Sequence, residues 1–140
     1  MKRTKNNILT SFISLLLVTA TAFPLMAHHS TRGIYHEDQT IELTGTVKEW
    51  VFTNPHPYLT ITVENENGET IDWDASFGGS AVVHLRRRGY SNDTFAIGET
   101  ITVHGNPARK EGVYGILMEG GSNEPLRADG TPAVEGGSQF

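Results

Sequence analysis

The sequence predicts a small all-β protein: a five-stranded Greek-key barrel with one short helix between its third and fourth strands. Three observations carry this. Apolar residues recur at every second position through separate stretches between residues 40 and 119, the pattern of half-buried strands. Glycine, asparagine and proline separate those stretches. One stretch only, residues 81–88, carries helix-start and helix-stop residues instead.

The first strand begins at Thr40. Ile41, Leu43, Gly45 and Val47 lie on one face; Thr40, Glu42, Thr44, Thr46 and Lys48 lie on the other. Gly45 in mid-strand predicts a bend or bulge, which lets one strand serve two sheets. Trp50, Val51 and Phe52 extend the strand into Thr53-Asn54-Pro55-His56-Pro57, where two prolines stop regular pairing and hold His56 in an extended loop. A second strand covers residues 58–64 with Leu59, Ile61 and Val63 inward, and Asn67-Gly68 is a hairpin turn signal. The third, residues 69–75, buries Ile71, Trp73 and Ala75 and shows Asp72 and Asp74. Ser80 is placed to cap a helix over 81–88, which Gly89 ends and whose last turn holds Arg86, Arg87 and Arg88.

Residues 100–105 form the fourth strand with Ile101 and Val103 inward, and residues 113–119 the fifth. Residues 106–112 join them as a hairpin loop. Three strands, a helix and two strands is the element order of the OB-fold. The domain so defined spans 40–119, preceded by an N-terminal extension over 28–39. Residues 120–140, rich in Gly, Ser, Pro and Ala, read as a flexible tail.

Residues 1–27 read as a secretory signal peptide: Lys2, Arg3 and Lys5, an apolar run from Ile8 to Val18, and Leu25-Met26-Ala27 before the cleavage point. The run of about eleven residues is short of the roughly 20 that span a bilayer. The expected location is therefore periplasmic or secreted, with no stable membrane anchor after cleavage. The 140 residues carry 11 Lys+Arg against 16 Asp+Glu, a net −5. Without the first 27, 8 basic groups face 16 acidic ones. That balance excludes a phosphate-tracking nucleic-acid surface. The absence of cysteine excludes disulfides, thiolate metal clusters, thiol nucleophiles and a lipidated N-terminal cysteine. There is no nucleophile elbow, phosphate-cradling glycine loop or HExxH.

Five segments occur in order: Ala27-His28-His29-Ser30, Leu43-Thr44-Gly45-Thr46-Val47, Thr53-Asn54-Pro55-His56, Leu85-Arg86-Arg87-Arg88-Gly89-Tyr90 and His104-Gly105-Asn106-Pro107-Ala108-Arg109. Together they resemble an exported bacterial family catalogued as a domain of unknown function, number six-one-five-two. The resemblance covers roughly 27–119. It implies a small periplasmic or secreted β-barrel and supplies no activity. One departure is Tyr90, where the resemblance leads one to expect Trp.

His28, His29 and His56 are the sharpest candidate constellation. Cleavage after Ala27 leaves a free α-amine and an imidazole on His28, with a second imidazole on His29. An amine with imidazoles and no thiolate suits copper first, and zinc as the other candidate. His36, beside Glu37 and Asp38, is an auxiliary candidate; His104 faces outward and His84 lies on the helix. Trp50 and Tyr58 are the candidate ligand-binding residues, placed together on the outer strand face that OB-folds use. Asp72 and Asp74 are neighbours on one strand face, and Gly78-Gly79-Ser80 precedes the helix.

The leading expectation is a non-enzymatic binding module with a histidine-based metal site, working with an exported partner protein. The alternative is a metal-free module that binds a peptide, glycan or partner protein on its strand face. A third reading is a copper-dependent redox enzyme.

Overall fold

The computed structural model describes residues 33–118 and 124–135. The expected signal segment, His28 and His29 lie outside the described residues. The elements are β1 (Ile41–Val51), β2 (Tyr58–Glu64), β3 (Thr70–Ser76), α1 (Val82–Arg87), β4 (Thr100–Pro107), β5 (Gly115–Leu117) and β6 (Leu126–Arg127). The first five strands close in the order β1-β2-β3-β5-β4, with β4 returning to β1. Only β3 and β5 run parallel; the other pairs are antiparallel. This is the expected small barrel with OB-type strand order.

β1 serves two neighbours. Residues 41–46 pair with β4, and residues 46–51 with β2. Gly45 stands near that changeover because a Cβ there would lie 2.7 Å from the Thr62 carbonyl oxygen. Of the alternating residues read as inward, Val47, Leu59, Ile61, Ala75, Ile101 and Val103 are buried in the core, with Ile41, Leu43, Val63 and Trp73 packed partly buried against them, whereas Ile71 is half-buried and outside this cluster. Leu85 of α1 is fully buried in the same core.

Three expectations are corrected. The helix begins one residue later than expected: Ala81, extended at φ −75° and ψ 159°, is its N-cap and makes no side-chain cap bond. Ser80 instead donates its N–H to the Phe77 carbonyl, at 3.3 Å, in the preceding turn. At the other end Gly89, at φ +100°, caps the helix as expected. Asn106 and Pro107 belong to β4 rather than to a hairpin loop.

The third correction concerns the tail. Residues 124–135 are part of the fold. β6 pairs with Ile101 and Thr102 of β4, and Ala133 and Val134 join the core. Arg127 donates to Glu99 at 2.8 Å and to the Thr94 and Ala133 carbonyls at 3.1 Å each. Composition pointed to a tail, but composition counts average hydrophobicity. A few apolar side chains and well-placed ion pairs on an open strand edge are enough to order a short segment.

The N-terminal extension also pairs. Tyr35 bridges Ala108, the His36 N–H donates to the Pro107 carbonyl at 2.9 Å, and the Arg109 N–H to the Ile34 carbonyl at 2.8 Å.

Candidate functional site

The β1–β2 register decides what the strand face presents. Val47 pairs with Ile61 but Glu49 pairs with Thr60, so Lys48 is an extra residue in a bulge. An extra residue inverts inside and outside for the rest of the strand. Trp50 therefore lies opposite Leu59, and Tyr58 opposite Val51. This corrects the expectation that Trp50 and Tyr58 share an outer face. Trp50 turns inward against Phe52, Phe77 and Phe95, with ring centroids 5.4, 5.6 and 5.1 Å away. Its indole N–H donates to the Ser91 carbonyl at 2.8 Å. Trp50→Phe is expected to lower stability by about 1–2 kcal/mol in urea titration, from the lost bond and volume.

Tyr58 remains on the outer face, 36% exposed. Its hydroxyl donates to Glu49 at 3.4 Å. On the same face Thr60 donates to Asp74 at 2.8 Å, Thr62 donates to Asp72 at 2.7 Å, and Lys48 pairs with Asp72. Tyr35 reaches this face from the N-terminal extension, its ring 3.8 Å from where a Gly115 Cβ would stand, an ordinary contact distance. Burial and then the charge of Asp74 hold the Tyr35 phenol above its usual range, against the opposing bond to Ser76. Loss of hydration and then Glu49 do the same for Tyr58. The hydrogen bonds from Lys48 and Thr62 hold Asp72 below the usual carboxylate range. The surface thus offers neutral phenols beside carboxylates, suited to donors and cations. Asp72 and Asp74 do share a face, but each is tied to a different neighbour.

His56 is exposed on the loop between β1 and β2, and Pro57 after it is buried. His36 sits 3.7 Å from Asp38, and His104 pairs across to Glu42 at 2.7 Å on the outer face. His84 is exposed on α1. Among the described residues no group of three or more His, Asp or Glu side chains is arranged to hold a metal. The structure does not bring His36 and His56 into one such group, and the two other expected ligands are outside the described residues.

The arginine run divides. Arg86 and Arg87 are exposed, with Arg86 over the Phe52 ring at 5.7 Å, whereas Arg88 turns in to pair with Glu124. Glu124 also accepts from the Tyr90 hydroxyl. This interior network was not readable from the sequence, because its acid is 36 residues from its base. Among the described residues no helix is long and apolar enough to cross a membrane.

Fold and face together define a small OB-type β-barrel protein whose β2–β3 surface is polar and flanked by tyrosines. Residues 16–117 match the model of the "Family of unknown function (DUF6152)", and the chain belongs to that family. The match ends with β5, so residues 124–135 lie beyond it. No curated protein matches the chain.

Proposed function

We propose that the protein is an exported, non-enzymatic binding module that holds a partner protein or peptide on the outer face of β2 and β3. The observation that carries this is Tyr58, partly exposed between the charges of Glu49 and Asp74 on the face that OB-folds use for ligands. The acidic balance of the chain selects against polyanions and for cationic partners. Tyr58→Ala removes an outward side chain and is expected to lower the melting temperature by no more than a few degrees, the loss of one cross-strand contact, while reducing partner recovery from a periplasmic extract. Equal recovery by the wild type and the variant would remove this reading.

A second reading retains a metal, copper before zinc, held by His28, His29 and His56. It is favoured by the presentation of His56, an exposed imidazole on a loop anchored by the buried Pro57. Titration of the protein beginning at His28 with Cu(II) tests it: His56→Ala should weaken binding about tenfold or more, as loss of one ligand does. Unchanged affinity in that variant would exclude His56 as a ligand.

A further inference from the structure

β3 has a neighbour along its whole length on one side only. β2 pairs with residues 70–76, whereas β5 covers only residues 74–76. The Asp74 N–H donates to the Tyr114 carbonyl at 3.0 Å, and the Ser76 carbonyl accepts from the Met118 N–H at 2.8 Å. Even-numbered residues of β3 therefore direct their peptide groups away from β2. By the same alternation Thr70 and Asp72 present an N–H and a C=O each to the open side, in line with β5 but before its start. Among the described residues no strand pairs with that stretch. Beside the opening stand Val113 and Tyr114, 46% and 45% exposed, with Tyr114 edge-on to Trp73 at 5.3 Å.

We propose that this open edge takes up an extended segment of a partner protein bearing lysine or arginine, added as a strand beside β3. The proposal specifies the partner chemistry and binding mode of the module proposed above, and rests on that reading. Strand addition satisfies the free peptide groups of Thr70 and Asp72, while alternate side chains supply selectivity. Charge decides the occupant. Residues 58–76 contain Glu64, Glu66, Glu69, Asp72 and Asp74 and no lysine or arginine, and Lys48 of β1, paired with Asp72, offsets one of these five charges. A second copy of the chain on the same edge would bring two such acidic hairpins together, and like charges on adjacent strands oppose pairing. Cationic side chains placed beside Thr70 and Asp72 share the outer face with Asp72 and Asp74 and relieve that repulsion, while the alternate apolar residues fall on the opposite face beside Trp73 and Tyr114.

Amide hydrogen exchange on the full mature chain tests this with two synthetic seven-residue peptides, one alternating Lys and Val, the other Glu and Val. The Lys peptide should slow exchange at Thr70 and Asp72 about tenfold or more, an effect weakened by salt; the Glu peptide should not. Thr70→Pro removes one outward N–H without touching the β2 ladder, as an edge position allows, and should weaken the Lys peptide while Thr70→Ala does not. If Thr70→Pro fails to fold, the wild-type exchange map alone decides. No slowing with the Lys peptide, or equal slowing with both, overturns the proposal. Partner capture that depends on Tyr58 with no protection at Thr70 and Asp72 would keep the face and refute the edge. Protection there that survives Tyr58→Ala would keep the edge and refute the face.

Discussion

Glu124→Ala is expected to destabilise the protein by about 3–5 kcal/mol, the usual result of removing one partner from a buried ion pair. Glu124 is 9% exposed and Arg88 23% at their side chains. One carboxylate oxygen accepts from Arg88 and the other from the hydroxyl of Tyr90, which is 1% exposed. Without the acid, a half-buried guanidinium and a buried hydroxyl lose their acceptor together. Against a total stability of about 5–15 kcal/mol, that is a large share. Urea unfolding checks it, and a triple change, Arg88→Met, Tyr90→Phe and Glu124→Leu, should recover most of the loss because neither a charge nor a hydroxyl is left unpaired. The same contact sets the alkaline limit. Burial first, then the hydrogen bond and charge of Glu124, push the Tyr90 phenol above its ordinary range, with Arg88 opposing. The folded state thus favours the neutral phenol. Its contribution is complete below the ordinary tyrosine value near 10 and is lost as pH rises from there toward the folded value. Tyrosinate absorbance for Tyr90 should therefore appear only with unfolding, and Tyr90→Phe should flatten the loss of stability above about pH 10. Tyrosinate formation at Tyr90 before any unfolding would contradict this account.

How much of this was legible depended on the range of the interaction. β2, with Leu59, Ile61 and Val63 on its inner side, follows from local alternation and is found as read. Gly89 is readable because a left-handed cap is a property of one residue and its neighbours. Trp50 lies on the side opposite to the one alternation predicts because Lys48 is a bulge, and one extra residue reverses every later position. Gly45 had signalled an irregularity in that strand, but the register slip lies beyond it, between Val47 and Glu49. The order of the segment holding Glu124, Arg127 and Val134 is hidden for a different reason: its partners are Arg88, Glu99 and the β4 edge, distant in sequence and invisible to any window. The exposed tyrosine and carboxylates of the strand face were visible one by one. That Tyr35 joins them across Gly115 was not.

Gly105→Ala is expected to be comparably damaging, about 3 kcal/mol or more, the upper range for forcing atoms into a filled interior. A methyl group there would overlap the carbonyl oxygen of Leu117, lie 2.7 Å from its carbonyl carbon and 3.0 Å from Cγ1 of Ile116. Two of these are backbone atoms, so a rotamer change cannot relieve them. Relief would require β5 to move away from β4. β5 has only three residues, which pair with Asp74 to Ser76 on one side and with Asn106 and Pro107 on the other. Shifting it would undo the pairing that closes the barrel. Gly115→Ala is the control: its added methyl meets Ala108 at 3.6 Å and Tyr35 at 3.8 Å, ordinary contact distances. That variant should stay within about 1 kcal/mol of wild type in the same titration, whereas Gly105→Ala should lose amide protection first along β5. Equal stability of the two variants would mean that β5 yields easily. In that case β5 could not fix where pairing along β3 stops, and the open stretch at Thr70 and Asp72 would have no defined boundary.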